Sequence, residues 1–328
     1  MLIDPLSDVL RAVRLTGAIF FAVDCSPPWV AETPSGREVG PYLLPGIDHV
    51  IEYHVITSGS CWGGLIDEPA LQLGPGDIIV FPQGDGHVLS SAPGMRGTPD
   101  FANFRAAHGG RLPLTMSING GGEARTNLIC GFLGCDAKPF NPLLAVLPRM
   151  IHLRAGDESE PLRRMVELAV AESTSPRPGS DCVLSHLSEL LFVEVVRRYV
   201  ASLPPEQTGW FAGLRDPHVG RALQKLHESP SHAWTLEELA KQVGLSRSTL
   251  AERFNHLVGV PPIQYLAKWR IQLAASLLRS TKSSLAEIAE RVGYGSEAAL
   301  SHAFKRQVGV APAVYRRGDQ KSTERAAV

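Results

Sequence analysis

The carboxy-terminal third of this 328-residue chain is written twice. LAKQVGLSRSTLAERFNHLVGVPPIQYL, starting at Leu239, returns as IAERVGYGSEAALSHAFKRQVGVAPAVY, starting at Ile288. Phe254 and Phe304, Gly259 and Gly309, Pro262 and Pro312, and Tyr265 and Tyr315 are each 50 residues apart, whereas Ala240 and Ala289 are 49 apart. A repeat of this kind is one supersecondary unit made twice, here with one extra residue in the second turn. Each copy has the logic of a helix-turn-helix. A small residue sits where two helices cross (Ala240, Ala289), a glycine able to take left-handed backbone follows four later (Gly244, Gly293), and an apolar anchor starts the next helix (Leu250, Leu300). Ser246 is placed to cap that helix.

On the first recognition helix Leu250, Phe254 and Leu257 make the buried side, which leaves Arg247, Ser248, Ala251, Glu252 and Asn255 outward. The second presents Glu297, Ala298, Ala299, His302, Lys305 and Arg306. Residues near the start of such a helix reach base edges, and flanking Lys and Arg meet phosphate. Between the copies, 263–278 has a helical apolar pattern, a rod of roughly 22 Å at ~1.5 Å per residue. Charge supports the assignment: residues 215–328 hold 17 Lys and Arg against 10 Asp and Glu, which leaves 15 against 23 in the first 214. A basic end on an acidic body is the footprint of one domain that meets phosphate.

The front of the chain is different text. From Ala18 to about Ile129, short apolar runs broken by Gly and Pro predict strands, as in Val50–Ile56, Ile78–Phe81 and Leu112–Ile118. After Pro148 the period becomes helical, with Leu162, Met165, Val166 and Ala169 in one stripe and Leu184, Leu187, Leu191, Val195 and Val196 in a longer one. The longer stripe must be covered either by its own strands or by a second copy of the chain. LPPEQTG, from Leu203 to Gly209, breaks the helix before the basic tail.

In GDIIVFPQGDGH, from Gly76 to His87, the spacing of Gly76, Pro82, Gly84 and His87 resembles the second motif of the cupin fold, and Glu52 followed by Gly59 resembles the end of the first. The tail, 216–317, resembles the DNA-binding domain of the AraC/XylS family of regulators. The ending VGYGSEAALSHAFKRQVGVAPAVYR is the most specific part, and Glu252–Arg253 before Phe254 is the one departure from LAxxVGxSxxxLxRxF. The resemblance implies an α+β multidomain chain: a cupin-like β-barrel sensor (1–148), a helical connector with a dimerisation role (149–214), an all-α double helix-turn-helix domain (215–317) and a polar tail (318–328). It also implies duplex DNA, RNA polymerase and a second copy as partners.

What the sensor takes is open at this stage between a small ligand and an oxidant. Cys25, before a PxG turn, and Cys130, in a CG pair, are the candidate redox residues, or buried small hydrophobes. Metal-binding cupins carry an HxH pair before the Glu, and PGIDHV stands there instead. Glu52 and His54 share one strand face and with His87 form the candidate metal set, although Ile51, Tyr53 and Val55 compete to be the inward face. The expected cofactor is none, with a metal in the barrel as the exception. The competing function, a cupin-type metal-dependent enzyme with a helical appendage, is disfavoured by the missing pair, so no enzyme is expected. No run reaches the ~18 apolar residues of a membrane span. Five irregularly spaced cysteines make no disulfide framework, and the expected compartment is the cytoplasm.

Overall fold

The computed structural model describes residues 4–102, 104, 114–155, 160–204 and 207–317, so the expected polar tail at 318–328 lies outside the described residues. The chain forms two compact units, and each is made from more than one stretch. One unit, called the sensor unit after the role expected of it, takes Leu15–Cys135 and Leu147–Ser202, and the helical unit takes Met1–Arg14, Asp136–Val146 and Leu203–Val328. The sequence placed single cuts at 148/149 and 214/215. Instead, the first helix and the stretch after residue 135 join the helical unit, while the two long connector helices join the sensor.

In chain order the helical unit's first element is α1 (Pro5–Ala12), and the sensor follows with β1 (Thr16–Ser26), β2 (Val30–Thr33), α2 (Gly36–Leu43), β3 (His49–Ser58), β4 (Cys61–Leu65) and β5 (Leu71–Leu73). It continues through β6 (Ile78–Phe81), β7 (His87–Ser90), β8 (Leu114–Asn119), β9 (Thr126–Cys135), β10 (Ile151–Leu153), α3 (Glu160–Thr174) and α4 (Ser180–Ser202). The strands make two sheets, ordered β10-β6-β3-β9-β1-β8 and β2-β7-β4-β5, a jelly-roll-like arrangement and not the closed barrel expected. Two short turns hold β6 in place. Asp77 accepts from the Gly74 N–H at 3.0 Å in the first. In the second, Gly84 has φ +66, and a Cβ there would stand 2.6 Å from the Val50 carbonyl, so only glycine fits.

Both faces of β3 are buried, which resolves the competition for its inward side. Val50 and Ile56 belong to the core between the sheets, with Phe21, Val23, Phe81 and Leu128. Tyr53, Val55, Ile78 and Val80 point the other way, onto Leu191, Phe192 and Val195 of α4. The α4 stripe is therefore covered by the chain's own sheet: Leu184, Leu187, Leu191 and Val195 are all 5% exposed or less. The Tyr53 hydroxyl closes the contact on Ser188. Gly131 explains the CG pair, because a Cβ there would stand 2.1 Å from the Tyr53 ring.

The helical unit adds α5 (Trp210–Arg215), α6 (Pro217–Glu228), α7 (Leu236–Gln242), α8 (Arg247–Val258), α9 (Pro262–Ser280), α10 (Leu285–Val292) and α11 (Glu297–Val308). The sequence repeat reappears as matched geometry. Phe254–Tyr265 and Phe304–Tyr315 are edge-on ring pairs at 5.9 and 5.2 Å. Gly244 (φ +74) and Gly293 (φ +84) take the left-handed backbone that stops each first helix. Ser246 and Ser296 cap each second helix, accepting from Thr249 and Ala299 N–H at 3.2 Å. The rod between the copies, α9, has 19 residues, about 28 Å at 1.5 Å each, and extends the apolar pattern of 263–278 by one residue before it and two after.

The two stretches from the front of the chain grip that rod. Gln272, fully buried in the middle of α9, donates to the Ala12 carbonyl at 3.1 Å and accepts from the Phe140 N–H at 3.0 Å. Asp136 holds Arg14 at 3.0 Å and Arg279 at 2.5 Å. Every donor and acceptor of the Gln272 amide matters here, since a buried one left unpaired costs about 1–3 kcal/mol.

Candidate nucleic-acid interface and sensor cavity

In both helix-turn-helix copies the second helix buries one narrow stripe and leaves the rest to solvent. Leu250 and Phe254 of α8, and Leu300 and Phe304 of α11, are fully buried. Arg247, Ser248, Glu252 and Asn255 are exposed and Ala251 is half-buried; Glu297, Ala298, His302, Lys305 and Arg306 are all exposed. Every expected DNA-contact residue thus lies on the free side of its helix. Ser248 and Glu297–Ala298 stand in the first turns, beside the capping serines, where backbone N–H groups and the helix dipole favour anionic phosphate. Arg253 does not join them, because it is bound to Asp216 at 2.5 Å, at the start of α6. The basic residue is turned to brace the copy, and Glu252 occupies the outward place.

Trp210, His227 and Arg270, which position this surface, carried no signal in the sequence. The Tyr265 hydroxyl receives the Trp210 indole N–H at 3.0 Å and meets the His227 ring at 2.8 Å. Arg270 donates to the carbonyls of Pro230 and His232, both at 2.7 Å, and ties α9 to the loop before α7. The Trp–Tyr and His–Tyr pairs join residues 55 and 38 apart, with no local pattern to betray them.

The sensor unit holds a half-open cavity of about 610 Å³, lined by residues that include Phe21, Phe104, Phe132, Trp29, His54 and Cys130. The three phenylalanines meet edge-on at 5.8 to 6.3 Å and form an aromatic wall. Of the candidate metal residues His54 lines the cavity, with His87 and then Glu52 behind, and both candidate redox cysteines, Cys25 and Cys130, line it as well. His54 Nε2 is 2.7 Å from His87 Nε2, and His54 Nδ1 is 2.8 Å from Cys130 Sγ. Glu52 Oε2 is 3.8 Å from His87 Nε2, and neither Glu52 oxygen has a hydrogen-bond partner. The rings face each other as hydrogen-bond partners, and among the described residues no group of three or more His, Cys, Asp or Glu is arranged to hold a metal ion. Burial pushes the His87 imidazole down to about 4 and holds His54 well below the usual imidazole range. The same burial raises the Glu52 carboxyl well above its ordinary range. All three therefore favour their uncharged forms.

The redox pair is not brought together. Cys25 pairs with Thr126 across β1 and β9, whereas the partner of Cys130 is Phe21, four residues along the strand. At ~3.3 Å per residue the two Cα atoms are roughly 14 Å apart, twice the span a disulfide tolerates. Burial also pushes the Cys25 thiol up to about 12, with Asp24 adding to the effect, and raises Cys130 well above the thiol range. Both shifts oppose the thiolate that oxidation by peroxide-like reagents uses.

A family model described as Cupin matches residues 4–201, and one described as Helix-turn-helix domain matches 239–318. A protein of Streptomyces lividans, a putative AraC-like transcription regulator, is 33% identical over 317 residues, 96% of this chain and 98% of its own length. The HTH-type transcriptional regulator AlkR of Acinetobacter baylyi is 32% identical over 80% of this chain and 86% of its own. Among solved structures, the C-terminal domain of AraT, a response regulator from Geobacillus stearothermophilus, is 40% identical over 31% of this chain and 85% of its own, with a TM-score of 0.31.

Proposed function

Because this chain belongs to the AraC-like transcriptional regulators, DNA-binding proteins and not enzymes, we propose that its double helix-turn-helix reads a specific duplex sequence under the control of a small molecule held in the cupin cavity. The observation that carries the sensing half is the cavity itself. Its ~610 Å³ lies within the range of small-ligand sites, and its aromatic wall with a few polar groups at one side has their usual composition. A disulfide switch between Cys25 and Cys130 is the weaker sensor, for the strand register separates them. On this reading the ligand alters how the two recognition helices meet DNA, with a second copy of the chain and RNA polymerase as the protein partners.

The test uses the full chain. Selection from randomised duplexes should return a short motif. Separately, 4-phenylbutan-2-one, an aromatic ketone sized for the cavity, should raise the melting temperature of the wild type and not of Val23→Trp, which fills the cavity. A selection without enrichment would overturn the DNA half, and equal shifts in both proteins would overturn the sensing half.

A further inference from the structure

The hydrogen bonds around Cys130 have a fixed direction. His87 Nδ1 lies 3.0 Å from the Asp85 carbonyl, which can only accept, so that nitrogen carries a proton. In the neutral ring His87 Nε2 must then accept, and the proton between the two rings belongs to His54 Nε2, at 2.7 Å. His54 Nδ1 is left as an acceptor, and among the described residues the proton facing it is that of the Cys130 thiol, 2.8 Å away. The backbone carbonyl of Asp85 thus sets, through two rings, a thiol aimed at a base. His87 is held in its own place by stacking on Phe81 at 3.8 Å and 10°. Thiol and base both open on the aromatic cavity, and Cys130 is 8% exposed.

We propose that Cys130 is a covalent capture site for a soft apolar electrophile, an aromatic α,β-unsaturated carbonyl compound, with His54 as its general base. This rests on the reading that the cavity admits an effector and names the effector's chemical class. The sulfur lone pair forms the C–S bond to the β-carbon while the S–H proton passes to His54 Nδ1. The C=C electron pair moves onto the carbonyl oxygen, and the proton returns from His54 Nδ1 to the α-carbon. One thioether forms, nothing leaves, and no oxidant is consumed. While His54 carries the extra proton, its Nε2 proton can shift toward His87 Nε2.

The buried environment fits addition better than oxidation. A thiol kept protonated at rest offers little thiolate to peroxides, yet a less acidic thiol is the stronger nucleophile once its proton moves. Transfer to a positioned base as the bond forms removes the need for a standing anion. The same protonation keeps the site inert toward hydrophilic reagents that the phenylalanine wall does not retain.

The experiment treats the full-length protein, in a Cys182→Ser background because Cys182 is exposed, with 4-phenylbut-3-en-2-one, and follows adducts by intact mass and peptide mapping. The expected result is one thioether on Cys130, slowed by excess 4-phenylbutan-2-one, absent in Cys130→Ser, and about 100-fold slower in His54→Phe, the usual contribution of a general base. Circular dichroism confirms that each variant is folded, and the wild-type competition stands if His54→Phe is not. Adducts on Cys25 or Cys61 in place of Cys130, or an unchanged rate in folded His54→Phe, would overturn the proposal. No adduct while the saturated ketone still raises the melting temperature would defeat capture alone; no adduct and no shift would defeat the cavity reading with it.

Discussion

Acidification should erase the difference in stability between the wild type and His87→Phe. In the folded sensor the His87 imidazole titrates at about 4, below the ordinary 6.5, because it is fully buried. Since the folded pKa is the depressed one, the unfolded chain takes up this proton first as pH falls. The contribution is complete above about pH 6.5 and is lost progressively towards pH 4. Between pH 7 and pH 5 the wild type therefore loses about 2 kcal/mol at this residue, from ~1.4 kcal/mol per pH unit over most of the window. The Phe variant keeps the ring on Phe81 but gives up two hydrogen bonds, to the Asp85 carbonyl and to His54, worth about 2 kcal/mol together. It should be less stable by that amount at pH 7 and nearly equal to wild type at pH 5. His49, His54 and His227, also depressed by burial, and Glu52, raised by it, act in both proteins and largely cancel in the comparison. Urea unfolding read by hydrogen exchange on β3 and β7 peptides scores the sensor unit alone. If the variant loses as much stability as wild type between pH 7 and pH 5, His87 is not the buried neutral ring described, and the tautomer argument for His54 falls with it.

On the DNA side, Lys305→Ala and Arg306→Ala should weaken binding of the full chain to all duplexes alike and each lower the salt slope by about one, whereas Ser248→Ala and His302→Ala should reorder preferred sequences. Fluorescence anisotropy against salt separates the two, and a Lys305 variant with altered preference would invert the assignment. Gly293→Ala should cost more than about 1 kcal/mol, since φ is +84 and the new Cβ would stand 2.6 Å from Ser231 Cα; an unchanged melting temperature would refute this. Leu187→Glu with Leu191→Glu puts two charges under the chain's own sheet and should yield aggregate or unfolded sensor, while soluble, folded double mutant on size exclusion would show the stripe is not core.

Local signals carried most of the fold. The 49- and 50-residue spacings of the repeat matched Phe254 with Phe304 and Tyr265 with Tyr315, positions that make the same ring contact in each copy, and the cupin spacing picked out Glu52 and His87, which do meet. Capping serines and left-handed glycines were readable because each acts within four residues. Long-range choices were not. Alternation in β3 could not tell the cavity side from the α4 side, since both are apolar and buried. Cys25 and Cys130 looked like a pair in the text, yet strand register alone decides their separation. Gln272 reads as an ordinary polar helix residue until the two distant backbone groups that use its amide are known.

The grip on α9 has a consequence for how the molecule is made. Ala12 and its partner Gln272 are 260 residues apart. At ~5–20 residues per second, a ribosome takes about 13 to 52 seconds to travel between them. The sensor's last residue, Ser202, is synthesised well within that interval. Val9 and Ala12, buried in the finished unit, have to wait for helices not yet translated, and no single cut in the gene separates the helix-turn-helix unit from the cupin unit. α1, made before every other described element, is among the last of them to reach its place.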